Sequence, residues 1–198
     1  ESVVLDERQR GLQNNIMQSI DEINQLVDES LWATRLQHGP LALNKTHFSF
    51  EQLLEEVLLA LPEQKRNQQI NIQAGANTPE NFYADRRLLG RALLNLLGNA
   101  LKYGGQKIQI GWQWSQQELI LSVQDDGPGV ADDVKQQIFE PFELGQQYSV
   151  QKPHGGLGLA IVKSIVDSHE GHIQVTDSLL GGAAFVIRVP LRPMGTPE

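Results

Sequence analysis

The sequence predicts an α+β fold, a two-layer sandwich of helices on a sheet, led by one long helix. Three observations carry that expectation. Apolar residues recur at steps of three and four along the first 38 residues. Five later segments have the length and periodicity of strands, at 69–74, 107–114, 118–124, 172–177 and 183–190. Helical stretches are interleaved with these strands, so the layers mix helix and sheet within one domain.

Taken in order, Leu12, Ile16, Ile20, Ile23, Val27 and Leu31 stripe a helix over residues 1–38, which Gly39-Pro40 ends. A stripe of that length needs partners, and it reads as a bundle helix that also makes an interface. Residues 40–48 read as a linker. Ser49 with Gln52 suggests a capping box for a helix over 50–61, stopped by Pro62. Residues 69–74 alternate like a strand, with Ile70 and Ile72 on one face. Asp85 is placed to N-cap a helix running to Tyr103. Two strands follow, joined by Ser115-Gln116-Gln117, and then a short helix over 132–138. The glutamine-rich stretch 143–154 has no period and reads as a mobile loop. Leu157 to His169 reads as helical, with Gly171 as its C-terminal glycine. The last two strands flank a Gly181-Gly182 turn.

Composition narrows the function. A net charge of −8 argues against broad nucleic-acid binding, which needs clustered Lys and Arg. With no cysteine, disulfides, thiolate catalysis and Cys-based zinc sites are out. No run approaches a membrane span and no signal peptide opens the chain, so no membrane contact is expected from these residues. The opening Glu1-Ser2-Val3-Val4-Leu5 reads as mid-helix, so the sequence is expected to be a piece of a longer protein.

Four motifs carry chemistry. Gly155-Gly156-Leu157-Gly158-Leu159 runs into an apolar helix, leaving unpaired N–H groups and the positive end of the helix dipole where a phosphate fits. On the helix after Asp85, Leu88, Leu89, Ala92, Leu93, Leu96, Leu97, Ala100 and Leu101 make one face. Asn95, Asn99 and Lys102, at i, i+4 and i+7, share a different stripe. Asp125-Asp126-Gly127-Pro128-Gly129 ends a strand in a sharp turn whose glycines permit φ > 0 and close approach of a ligand. Ile138-Phe139-Glu140-Pro141-Phe142 puts two aromatics beside a proline. Each alone has an ordinary reading: a plain glycine loop, a solvated helix face, a turn, core aromatics.

In order and spacing, the four resemble the N, G1, F and G2 boxes of the sensor histidine kinase ATP-binding domain. That domain belongs to the Bergerat-fold group, shared with gyrase, mismatch-repair ATPases and a heat-shock chaperone. The resemblance implies a Bergerat-type sandwich with a mixed sheet covered by helices. It also implies a division into residues 1–39 as the second helix of the dimerisation domain, 40–48 as linker, 49–192 as the ATP-binding catalytic domain and 193–198 as tail. The first dimerisation helix, with the phosphoacceptor histidine, is then absent. None of His38, His47, His154, His169 and His172 has the acceptor's sequence context, so the chain alone is not expected to autophosphorylate.

By the same resemblance, Asn99 ligates Mg²⁺ between the phosphates of ATP, Lys102 supplies charge to them, and Tyr103 lies against the adenine. Asp125 accepts from the adenine 6-amino group, with Gly127 and Gly129 allowing close approach. Phe142 anchors a lid over roughly 143–155, and Gly155, Gly156, Leu157, Gly158 and Leu159 form the phosphate loop. Asn95 stands where hydrolytic members of the group carry a glutamate base. An amide cannot take the proton, which favours phosphotransfer over hydrolysis. The sequence departs from the family pattern twice: Glu143-Leu144 follows the F box where a basic residue is common, and His154 replaces the first glycine of the G2 box. Lys152 is the candidate basic substitute in the lid. The implied protein is a bacterial two-component kinase, a homodimer with its catalytic domain in the cytoplasm and its parent anchored in the inner membrane. It would pass phosphate from a histidine to an aspartate on a response regulator receiver domain. The alternatives are a degenerate nucleotide-binding module, another Bergerat-fold ATPase, or an anti-sigma kinase, which usually lacks a long leading helix.

Overall fold

The computed structural model describes residues 7–37, 39–61, 69–75, 82–115, 118–141 and 156–190. The chain divides into two compact units, Glu1–Gly39 and Pro40–Glu198. The described part of the first is helix α1 (Glu7–Leu36), on which Leu12, Ile16, Ile20, Ile23, Val27 and Leu31 are all exposed.

The second unit comprises β1 (Thr46–Phe48), α2 (Phe50–Ala60), β2 (Gln69–Ala74), β3 (Phe82–Ala84), α3 (Arg86–Tyr103), β4 (Lys107–Trp114), β5 (Glu118–Asp125), a 3₁₀ turn at Gln137–Phe139, α4 (Gly158–Ser168), β6 (His172–Asp177) and β7 (Ala183–Pro190). Five strands form one mixed sheet in the order β2-β4-β5-β7-β6. β2 lies parallel to β4, and the other pairings are antiparallel. Ile108, Ile110 and Trp112 of β4, Leu119, Leu121 and Val123 of β5, and Ile187 and Val189 of β7 are buried at alternate positions, the pattern of a sheet with one face covered. The eight apolar positions read from the sequence on α3 are all buried. At roughly 1.5–3 kcal/mol for each buried leucine, this face fixes the roll of α3 and hence where its polar stripe points. A Cβ added to Gly90 would stand 3.1 Å from Leu53, so α2 and α3 meet closely there.

The helix starts follow their caps. The Ser49 hydroxyl accepts from Gln52 N at 3.4 Å, and instead of the reciprocal half of a capping box it donates to Glu51 Oε2. Asp85 Oδ1 accepts from Leu88 N at 3.0 Å.

Four sequence expectations change. The linker contains β1, which pairs antiparallel with β3, a strand with no sequence signal of its own. The stretch 132–138 is turn followed by 3₁₀, not α-helix. β5 extends one residue further, to Asp125. At the end of α4 the left-handed residue is Glu170, φ 59°, not Gly171. Gly171 N donates to Val166 O and Glu170 N to Asp167 O, both at 2.9 Å, the two bonds of a Schellman cap. Gly171 is needed for a different reason, because a Cβ there would overlap Arg188 O on β7. Pro62 and the 143–154 loop lie outside the described residues.

Candidate nucleotide site

Asp125 is the last residue of β5 and sits one rung beyond the Gln124–Ala184 pair of the β5–β7 ladder. It is 6% exposed, so its carboxylate must find donors. Oδ1 accepts from Gly127 N at 2.9 Å and Ala183 N at 3.2 Å, while its carbonyl accepts from Gly182 N at 3.1 Å. Those bonds engage one carboxylate oxygen and leave Oδ2 to act as a directed acceptor. The pocket around it is built of backbone. A Cβ on Gly182 would overlap Asp125 Oδ1 and Gly127 N, and one on Gly127 would stand 2.6 Å from Tyr103 O. Thus the end of β5 is pressed against the C-terminus of α3 on one side and the β6–β7 turn on the other. Gly129 has the positive φ expected, 72°, whereas Gly127 is required for close approach.

Asp126 has another task. Its Oδ1 accepts from Lys107 N at 2.8 Å, closing the α3–β4 connection, and that bond holds its carboxyl below the usual carboxylate range.

Along α3, Asn95 and Asn99 are half-buried and Lys102 and Tyr103 exposed. The Lys102 ammonium lies 4.7 Å from the Tyr103 ring centre. Asn95 Nδ2 donates to Gly158 O at 3.2 Å, which docks the first turn of α4 onto the middle of α3. The Asn99 amide, one turn further, makes no hydrogen bond within the described residues. Gly156, φ 120°, turns the chain into α4, Leu157 is buried, and no side chain caps the helix. The first N–H groups of α4 are therefore without a side-chain partner, at the positive end of its dipole. From Asn95 to Tyr103 is eight residues, about 12 Å of helix at 1.5 Å each. So the C-terminal half of α3, from Asn95 to Tyr103, forms a floor with an uncapped helix start at one end and a directed carboxylate at the other.

Phe139 of the F box is buried and meets Phe185 of β7 edge-on, with ring centres 6.4 Å apart. Phe142, Lys152 and Gly155 lie outside the described residues, while Gly158 and Leu159 open α4. Among the described residues no group of three or more His, Asp or Glu is arranged to hold a metal. Among the described residues of the α3 stripe, Asn99 is the side chain that could offer a cation a hard oxygen donor. That suits Mg²⁺, which keeps waters and takes phosphate oxygens for the rest of its shell. Sequence reasoning missed Gly182 and Ala183, which complete the Asp125 shell. Their only local signal was a Gly-Gly turn.

The family model described as histidine kinase-, DNA gyrase B- and HSP90-like ATPase matches residues 84–193. The sensor histidine kinase CpxA of Escherichia coli (strain K12) is 30% identical over 177 residues, covering 89% of this chain and 35% of that protein. Among solved structures, full-length ShkA in complex with AMPPNP superposes with a TM-score of 0.76 at 29% identity, over 100% of this chain and 42% of that one. Histidine kinase ThkA in complex with response regulator protein TrrA gives 0.70 at 25% identity, over 99% of this chain and 55% of that one. The chain spans 35% of the length of CpxA and 20% of that of the sensor protein KdpD of Escherichia coli (strain K12).

Proposed function

Since the chain belongs to the histidine kinase-, DNA gyrase B- and HSP90-like ATPase family, and the proteins it resembles are sensor histidine kinases, we propose that it binds Mg-ATP and presents the γ-phosphate to a histidine outside this sequence. The observation that carries this reading is the uncapped start of α4, docked through Asn95 on an α3 whose far end abuts the Asp125 carboxylate. An ATP laid along that floor puts its phosphates at the helix start and its adenine at Asp125.

In this reading Asp125 Oδ2 accepts from the adenine 6-amino group. Guanine, with an oxo group there, would face the carboxylate as a second acceptor. Tyr103 lies against the base and Lys102 reaches the phosphates as a point charge. Gly127 and Gly129 keep the turn bare so that the base can approach, and Gly156, Leu157, Gly158 and Leu159 offer backbone N–H groups. Asn99 supplies the protein oxygen for Mg²⁺, which when bound neutralises charge on the transferring phosphoryl group. Asn95 positions α4 and, as an amide, does not activate water, so the nucleotide is kept for another nucleophile. Phe142 and Lys152 belong to the lid, with Gly155 at its far end.

The parent protein is proposed to dimerise through the exposed stripe of α1, to hold this part in the cytoplasm beneath an inner-membrane anchor, and to pass phosphate to the aspartate of a receiver domain. Among the described residues no helix is long and apolar enough to cross a membrane.

Calorimetric titration tests the site. Mg-ATP is expected to bind and Mg-GTP to stay silent. Asp125→Asn is expected to weaken ATP by about 10- to 100-fold, the scale of a hydrogen bond to a charged group. Mg²⁺ added without nucleotide should give no heat. Equal binding of ATP and GTP, or an unaffected Asp125→Asn, overturns the adenine assignment.

A further inference from the structure

A second cleft lies away from the nucleotide floor, between α2 and the edge strand β2. Its volume is about 510 Å³, and Leu54, Leu58, Ile70, Ile72 and Trp112 line it. The α2 residues facing it recur over three turns, so the cleft runs along the helix. Leu59 and Ile72 at its border are 61% and 45% exposed, large for apolar side chains beside one another.

Two observations say what fits. First, the floor of the cleft is apolar: Trp112, 4% exposed, underlies it together with Leu54 and Leu61, so an occupant meets aliphatic and aromatic surface there. Second, Glu51 and Glu55, one helical turn apart, stand on the wall of the cleft with no cation against them among the described residues. Among the described residues Glu51 meets the Ser49 hydroxyl at 2.8 Å, and Glu55 makes no ion pair or side-chain hydrogen bond with any of them. The neighbouring Glu56 is the one that Arg86 takes, at 2.6 Å.

We infer that this cleft docks a basic, amphipathic segment of a partner protein. Its apolar side chains fill the space above Trp112, and Lys or Arg pair with Glu51 and Glu55. β2 has β4 on one side only, so an extended segment can also add to its outer edge. Charge argues against a second copy of this chain, because a symmetric contact would set Glu51 and Glu55 against themselves in a molecule of net charge −8. An anionic lipid surface is disfavoured for the same reason.

The test is a titration of the 198-residue chain, saturated with Mg-ATP, with a blocked peptide of alternating leucine and lysine, followed by ¹H–¹⁵N correlation. The Trp112 indole signal is identified by its loss in Trp112→Phe, or by elimination with Trp32→Phe and Trp114→Phe should that variant not fold. A saturable shift of this signal is expected, absent with glutamate in place of lysine. The peptide should bind about fivefold more weakly to Glu55→Lys, the upper range for an exposed ion pair. No shift, equal shifts with both peptides, or unchanged affinity in Glu55→Lys overturns the inference. So does a Trp112 signal that moves on dilution without peptide, since the occupant is then a second copy.

Discussion

Asp125 and Asp126 are neighbours in sequence with opposite employment, and the difference is in what each oxygen touches. Asp126 closes a connection by accepting from Lys107, whereas Asp125 is held by Gly127 and Ala183 through one oxygen. Asp126→Asn is therefore a local lesion, while Asp125→Asn strikes the proposed base pocket. His169 is a third residue whose surroundings decide its state. It is 4% exposed, its Nδ1 meets Ile165 O at 2.8 Å, and its Nε2 accepts from Asp85 N at 3.2 Å, so it is neutral with the proton on Nδ1. Burial holds its pKa below the ordinary 6.5. The unfolded chain then takes up a proton near 6.5 that the folded chain refuses, so stability is full above that value and declines as pH falls toward the lowered folded pKa. Unfolding free energies from urea titrations between pH 8 and 5.5 should decline below pH 6.5, with a slope of at most about 1.4 kcal/mol per pH unit from this residue. In His169→Gln, less stable at pH 8, that part of the slope should vanish; an unchanged slope would assign it elsewhere.

Among elements, two N-caps that look alike in sequence differ in load. Ser49 serves α2 alone and is only half-buried, so Ser49→Ala should cost about 1 kcal/mol. Asp85 is 4% exposed; it caps α3 and its Oδ2 also accepts from Asn44 N at 2.8 Å, tying down the strand-bearing linker. Asp85→Ala should cost about 3 kcal/mol, the cap plus a stranded buried donor, and chemical denaturation of the two variants checks the ranking. The α4 terminus offers a gain. Glu170 adopts a conformation that disfavours any side chain, and Glu170→Gly should stabilise by about 1 kcal/mol. Gly171→Ala should destabilise instead, since its Cβ meets Arg188 O. Thermal midpoints moving in opposite directions would verify the assignment of the two positions. Glycine is the common occupant of such a cap, which is why Gly171 stands out in the sequence, whereas packing against β7, not φ, demands it here.

At the scale of the molecule, the chain divides after Gly39 into two compact units. A chain of residues 40–198 should unfold cooperatively and keep Mg-ATP affinity within about threefold; loss of binding on truncation would make the leading helix part of the nucleotide site. The fold was legible where pattern is local: α3 between Asp85 and Tyr103, and strands with strict alternation. β1 and β3 were not, because three residues carry no period and their pairing joins positions 38 apart, Thr46 to Ala84. The 132–138 turn was misjudged because seven residues ahead of a proline give too few helical bonds to hold an α-helix. For the candidate site, the motifs named Asn95, Asn99 and Asp125, but no local pattern reports that Ala183 N–H, 58 residues on, orients the carboxylate. That separation has a consequence for synthesis. β5 is flanked on one side by β4, made just before it, and on the other by β7, made last of the described strands. A nascent chain paused anywhere before Ala183 leaves the ribosome with an open inner edge on its central strand and Asp125 unaimed. Nucleotide therefore cannot act as an early folding template; it can only trap a chain whose closing hairpin has already been delivered.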